Sequence, residues 1–553
     1  MTSDRDIAFP VLEPPELAAL AGRGRTRDVR DGEVLFGEGD RNIDFFVVLD
    51  GRIEIVEHSR GVSHTVVVHQ PGEFTGDVDT LSGRATLVEG RAVGNGRVLQ
   101  LDTEQLRQAV DELSELGAKL LRAFLVRRQL LLEEGFEGVR IIGSRFSPEA
   151  HRLRDFAGRN GIPFRWLDLE TDEQAEALLR QFNVPPSATP IVMSADGEWY
   201  SNPSPSDIAA CLGMVSRMDE GRVYDLVVVG AGPAGLAASV YAASEGLDVL
   251  TAESHAPGGQ AGTSARIENY LGFPAGISGR ELTQNALLQA QKFGARINVP
   301  STVTSLGIEG GERIVTLTDG TRLRARCVLI ASGVSYRKLD VRNFEDFEAA
   351  GIYYAATEME AKLCRGEDVV VVGGGNSAGQ AVVHLADYAR RVHVVVRRSD
   401  LGGSMSRYLV DRVESLPNVT IHRECTVTAL EGDGRLGAVH IRNGESETRL
   451  ETSSLFLFIG ADANTEWLRG CVELDRKGFV LTGNDLPPGV AESEPWRTAG
   501  RAPFLLETSL PGVFAAGDVR SGSVKRCASA VGEGAMAVSF VHAHVARPAA
   551  LTA

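Results

Sequence analysis

Asp225-Leu226-Val227-Val228-Val229-Gly230-Ala231-Gly232-Pro233-Ala234-Gly235 decides the fold of the larger part of this chain. A run of apolar, mostly β-branched residues enters a Gly-x-Gly-x-x-Gly turn and leaves it as an Ala-rich stretch. That is the pattern of a buried strand, a tight turn and a helix whose first backbone amides meet a diphosphate. The following strand, 248–252, ends in Glu253, eighteen residues past Gly235, where an acid is expected to accept ribose hydroxyls. The uncharged run from Leu226 to Ser244 is long enough for a membrane span, but the glycines and Pro233 inside it fit strand, turn and helix instead.

A second unit of the same kind begins at Val369-Val370-Val371-Val372-Gly373-Gly374-Gly375-Asn376-Ser377-Ala378-Gly379. Its next strand, 392–396, closes on Arg397-Arg398 in place of an acid. Two cations there pair with a 2′-phosphate, which favours NADPH and leaves NADH as the alternative; a solvated arginine pair is the plainer reading. Strands and helices alternate on both sides of these turns, so a doubly wound α/β architecture with two dinucleotide sites is expected.

Further motifs follow in order: Gly258-Gly259-Gln260, Ile267-Glu268-Asn269-Tyr270-Leu271-Gly272-Phe273-Pro274, Leu329-Ile330-Ala331-Ser332-Gly333, and Pro511-Gly512-Val513-Phe514-Ala515-Ala516-Gly517-Asp518-Val519. From Val223 to about Ala546 the chain resembles the low-molecular-weight thioredoxin reductase family. The resemblance implies FAD contacts from Gly230, Gly232, Pro233, Ala234 and Gly235, from Glu253, Gly259, Gln260, Asn269, Val303 and Gly333, and from Gly517 and Asp518, with Arg526-Cys527-Ala528 bordering the flavin. It also implies NADPH on Gly373, Gly375, Asn376, Ser377, Ala378, Arg397 and Arg398, in a domain (339–460) inserted within the FAD domain (222–338 and 461–546).

One family feature is absent. Thioredoxin reductases carry a CxxC pair before the second dinucleotide strand, and this chain reads Ala355-Ala356-Thr357-Glu358 there. Neither Ala nor Glu forms a thiolate, so a disulfide relay cannot run through these positions. The six cysteines, Cys211, Cys327, Cys364, Cys425, Cys471 and Cys527, form no CxxC anywhere. Cys527, beside the expected flavin, is the one worth testing for a redox role, although a packed spectator thiol is the simpler reading.

At 553 residues the chain exceeds a single core, and two modules precede the flavoprotein part. Residues 1–135 show short strands with Gly-rich turns and then helical periodicity from Thr103 to Glu134, a β-roll followed by a long helix. They resemble a cyclic-nucleotide-binding domain, which implies a nucleotide held near Gly76, with Asp77 accepting the ribose 2′-hydroxyl and Arg84 pairing with the cyclic phosphate. Asp stands where that family has Glu, so a degenerate roll used for docking is the competing reading. Residues 138–215 form a compact α/β pattern, with Ser201–Pro205 as a loop, and resemble a small thioredoxin- or glutaredoxin-like domain. Ser147-Pro148-Glu149-Ala150 replaces that family's CxxC, and Thr189-Pro190 matches its cis-proline. Met218-Asp219-Glu220-Gly221 is the expected linker to the flavoprotein part.

The net charge of −17 disfavours nucleic acid and anionic membranes as partners. The N-terminal residues lack an apolar signal core, so a cytoplasmic location is expected, and the histidines lack metal-ligand spacing. Three functions are consistent with this pattern. The first is an NADPH-dependent flavin oxidoreductase that passes electrons to an external acceptor: a small redox protein, a quinone, oxygen, or a disulfide reached by a route the motifs do not reveal. The second is a cyclic-nucleotide or redox sensor with little turnover. The third is a thioredoxin reductase working through residual cysteines. A homodimer is expected by analogy with the families it resembles.

Overall fold

The computed structural model describes residues 4–59, 62–133, 139–181, 183–193, 198–211, 214, 218, 221–264, 267, 269–347, 351–354, 356, 358–433 and 435–546. The expected domain end at Gly135, the linker residues Asp219 and Glu220, and Glu268, Ala355 and Thr357 lie outside the described residues.

The N-terminal strands Arg25–Val29, Val34–Phe36, Phe45–Ser59, Val62–His69 and Glu89–Leu101 form one antiparallel roll. Its core is aromatic, with Phe74 in contact with Phe45 at 5.5 Å and Phe124 at 6.2 Å between ring centroids. The long helix expected over 103–134 is two helices, Thr103–Glu112 and Ser114–Glu133. Leu113 leaves the helical region (φ −103°, ψ 74°), and Gly117 backs so closely onto the first helix that a Cβ there would stand 2.1 Å from the Val110 carbonyl oxygen. The bend lets both apolar faces, through Leu106 and Val110 and through Leu120 and Phe124, cover the same side of the roll.

The middle module has the strand order Arg165–Asp168, Arg140–Gly143, Ile191–Met193, Trp199–Ser201. The first pair is parallel and the others antiparallel, with helices Pro148–Arg159, Glu173–Gln181 and Pro205–Cys211, and the Thr189–Pro190 peptide is cis. The loop expected over 201–205 is shorter at both ends. Ser201 closes a strand of β-forming residues, and Pro205 opens a helix at the position where its missing N–H costs nothing.

In the C-terminal part, Val223–Val229 lies between Val249–Ala252 and Arg322–Ile330, all parallel. Arg296–Asn298 extends one edge, while Val513–Ala515 and an antiparallel pair, Val303–Glu309 and Glu312–Leu317, join beyond Arg322–Ile330. A second, all-parallel sheet runs Ile352–Tyr353, Ser454–Leu457, Asp368–Val372, Arg391–Val396, Val419–Arg423. Both centres are buried on two faces, which is why their strands read as continuous Val and Leu runs. The two layers join where Val334–Tyr336 pairs antiparallel with Ala461–Ala463. The uncharged run starting at Leu226 divides between a strand and the twelve-residue helix Pro233–Ser244, and no helix among the described residues is long and apolar enough to cross a membrane.

Candidate functional site

The first glycine turn is dictated by space. Gly230 has φ +103°, and a Cβ on it would stand 2.4 Å from the Ala331 carbonyl oxygen. At Gly235 the helix packs so tightly on the turn that a Cβ would lie 1.9 Å from the Gly230 carbonyl oxygen. Gly232 caps the helix Pro233–Ser244 without a side-chain cap, and Gly375 does the same for Asn376–Ala386. Both helices therefore present first-turn amides that an anion can satisfy.

Both turns open into one cavity of about 1160 Å³. From the first half it is lined by Gly230, Gly232, Pro233, Ala234, Glu253, Gly259, Gln260, Asn269, Val303, Gly333, Gly517, Asp518, Arg526 and Cys527. From the second half it is lined by Gly373, Gly375, Asn376, Ser377, Ala378, Arg397 and Arg398. Two expected residues stand off the wall. Gly235 lies beneath the turn, and Ala528 sits exposed on the first turn of the helix Cys527–Val545.

Glu253 is buried, and its carboxylate accepts from three backbone amides: Ala231 at 2.8 Å, His255 at 2.9 Å and Ala256 at 3.2 Å. A carboxylate has about four lone-pair sites, so capacity remains for a ribose hydroxyl. Gln260 donates to the Val334 carbonyl at 3.2 Å, which fixes its loop against the connection between the two layers. Asn376 accepts from the Ser406 amide at 2.6 Å, and Ser404 donates to the Gly374 carbonyl at 2.8 Å. Arg397 and Arg398 are exposed at the cavity edge, just past the strand Arg391–Val396.

Burial raises the Asp518 carboxyl above its ordinary range, and nearby Glu533 adds to this. Burial also pushes the Cys527 thiol up to about 11, with Asp518 adding to the shift. Cys364 and Cys327 are each pushed up to about 12 by burial. These sulfurs are neutral thiols at physiological pH, the protonation state least suited to nucleophilic exchange. Ala356, within the stretch where the resemblance expects a cysteine pair, lines the cavity.

Sequence reasoning did not single out Tyr336, Tyr354, Ser404 or Arg159, all on the cavity wall. Tyr336 and Tyr354 stack face to face, 5.6 Å between centroids, across the two layers. Arg159 belongs to the middle module, far away in sequence.

In the N-terminal roll the expected nucleotide residues do come together, in the turn before and the loop after the short helix Val78–Ser82. Asp77 caps that helix, accepting from the Asp79 amide at 2.8 Å, and its other oxygen takes Arg128 at 2.5 Å. Arg128 also pairs with Asp79. Burial raises Asp77, with like-charged Asp79 adding and Arg128 opposing. Burial works against the Arg128 cation too, but the two carboxylates outweigh it and hold the charge. Arg84 faces the same acids and is lowered by burial.

Comparison with known proteins follows this division. A family model described as pyridine nucleotide-disulphide oxidoreductase matches residues 224–534, and a cyclic nucleotide-binding domain model matches residues 26–112. NADPH-dependent thioredoxin reductase 3 of Arabidopsis thaliana is 34% identical over 324 residues, which is 57% of this chain and 57% of that protein. Thioredoxin reductase of Mycolicibacterium smegmatis is 34% identical over 318 residues, 57% of this chain and 94% of that one. The solved structure of Lactococcus lactis thioredoxin reductase in its FR conformation superimposes with a TM-score of 0.52 at 26% identity, covering 58% of this chain and 99% of that chain. With the first match running over more than half the chain and through both glycine turns, this protein belongs to the pyridine nucleotide-disulphide oxidoreductase family.

Proposed function

We propose that the protein binds FAD in the first half of the cavity and NADPH in the second, and sends electrons from flavin to an external acceptor without a cysteine pair. The observation that carries this reading is the single cavity lined by both glycine turns. The residues present fit both groups. Two helix starts without side-chain caps can meet a diphosphate, Glu253 retains acceptor capacity for a ribose, and Arg397 and Arg398, at the cavity edge, can pair with a 2′-phosphate. When bound, the pair supplies the redox chemistry, a hydride moving from nicotinamide to flavin.

The chain's own work is then placement and electrostatics. Glu253 braces the first turn through the Ala231 amide and holds the His255–Ala256 corner at the same time. Asp518 and Gln260 supply polar groups to the cavity wall. Tyr336 and Tyr354 stack across the seam between the layers on the cavity wall. The neutral Cys527 is a packing residue on this reading, and the missing pair at Ala355–Glu358 removes the thioredoxin-type exit. We assign residues 222–338 and 461–546 to FAD, 339–460 to NADPH, and 138–215 to a thioredoxin-like spacer, in a cytoplasmic homodimer.

A regulatory role for the N-terminal module is favoured by one chain of contacts. Arg128, which holds Asp77, also donates to the Gly161 carbonyl at 3.3 Å. The adjacent Asn160 donates to the His255 carbonyl at 3.0 Å, and the His255 amide donates to Glu253. A cyclic nucleotide whose ribose takes Asp77 must compete with Arg128, and so shifts a contact that ends at the flavin-site acid. Linkage makes the effect reciprocal: a nucleotide that changes NADPH binding has its own affinity changed equally by NADPH.

Anaerobic stopped-flow absorbance of the purified flavoprotein tests the proposal. Fast bleaching of the flavin by NADPH, slower bleaching by NADH, and a rate altered by a cyclic nucleotide are expected. Absence of bleaching by either nicotinamide contradicts the reductase reading and leaves a sensor with little turnover.

A further inference from the structure

The middle module lies outside the family match, yet it forms part of the cavity wall. Its helix Pro148–Arg159 docks end-on against the corner that follows Glu253. Asp155 meets the His255 ring nitrogen at 2.8 Å, Phe156 packs edge-on against the same ring at 5.7 Å, and Asn160 takes the His255 carbonyl. These contacts fix the end of the helix, and Arg159 is its last residue.

Arg159 donates to the Gly259 carbonyl at 3.2 Å. Gly259 in turn sits hard against the first glycine turn, where a Cβ on it would stand 3.0 Å from the Cα of Gly232. The guanidinium is thus bonded to the loop that packs directly on the first glycine turn. It has five N–H donors: one is used on Gly259, and among the described residues its ion-pair partner is Asp155, at 3.9 Å. Arg159 lines the cavity; burial pushes the nearby Tyr336 phenol up, opposed by a Thr263 hydrogen bond and then by the Arg159 charge.

The other cations on the wall have different positions. Arg397 and Arg398 belong to the second turn, Arg526 stands exposed at the start of the helix Cys527–Val545, and Lys525 is engaged by the Asp518 carbonyl and, at 2.9 Å, by Ser523. A diphosphate on the first turn carries two negative charges and meets backbone amides there. We propose that Arg159 is a cofactor-binding residue supplied by the middle module, its guanidinium facing the FAD diphosphate. The module therefore completes the flavin site in cis. This rests on assigning the first half of the cavity to FAD.

The competing job for Arg159 is purely structural, holding the module through the Gly259 carbonyl, and the substitutions are chosen to separate the two. Arg159→Gln keeps an amide donor for Gly259 and loses the charge; Arg159→Lys keeps the charge. In the full-length protein, FAD content after purification and FAD rebinding by flavin fluorescence are compared at low and high salt, with thermal unfolding as the folding control. Arg159→Gln is expected to weaken FAD binding roughly 10- to 100-fold and to flatten its salt dependence, with Arg159→Lys within about threefold of wild type. Wild-type FAD affinity in Arg159→Gln, a loss confined to NADPH affinity, or equal losses in both variants would each overturn the proposal. A wild-type protein that binds no FAD would instead overturn the assignment of the cavity, a distinct failure.

Discussion

Two regions of this molecule carry nucleotide-site signatures, and the structure treats them differently. In the C-terminal part all but two of the expected residues, Gly235 and Ala528, line an open cavity, and Glu253 has hydrogen-bonding capacity to spare. In the N-terminal roll the expected acid, Asp77, is already a helix cap and the partner of Arg128. A motif places groups together, but whether they remain available to a ligand depends on partners from elsewhere in the chain. In the first region the partners are backbone amides, which brace the acid and keep its charge unpaired. In the second the partner is a full cation, which satisfies it.

The comparison can be broken most forcefully at Glu253. Glu253→Ala removes the ribose acceptor and the brace on the Ala231 amide of the first turn, so FAD affinity should fall about 100-fold, read from flavin fluorescence, while the orphaned amides lower stability separately. Retention of FAD within threefold would make the acid a spectator. Next is Arg128→Ala, which leaves Asp77 and Asp79 buried without their cation; the roll should lose about 3 kcal/mol in denaturant unfolding. Arg84→Ala sharpens the same contrast: it leaves the Arg128 pairs in place, so it should cost less stability than Arg128→Ala while removing binding of a labelled cyclic nucleotide. Arg397→Ala and Arg398→Ala should each raise KM for NADPH roughly tenfold and leave NADH nearly unchanged, because a 2′-phosphate is lost as a partner. The smallest effect is expected at Cys527. Since its thiol is pushed up to about 11, the thiolate fraction is small at pH 7.5 and grows as pH rises toward that value. Iodoacetamide labelling should be slow at pH 7.5 and accelerate above pH 9.

What the sequence made legible was what backbone geometry forces. Gly230 and Gly235 are glycine because a Cβ would strike a carbonyl oxygen, so the first turn declares itself in the letters. The acid at Glu253 is equally visible because strand length fixes its distance from the turn. Arg159 and Tyr354 were illegible for the opposite reason: they reach the cavity through docking of separate modules and layers, and no local spacing encodes that. The pairing of Asp77 with Arg128, 51 residues apart, was hidden in the same way. The break at Leu113 was missed because helical periodicity continues on both sides of it, and only packing against the roll reveals the bend.

On the proposed reading, electrons leave this flavoprotein without a thiol relay. The most direct test replaces all six cysteines by serine and follows NADPH oxidation anaerobically with a quinone or ferricyanide as acceptor, alongside a thioredoxin-type disulfide. Turnover with the non-disulfide acceptor that matches the wild type within about twofold, and little turnover with the disulfide in either protein, is the predicted result. Disulfide turnover in the wild type that disappears in the cysteine-free protein would contradict it.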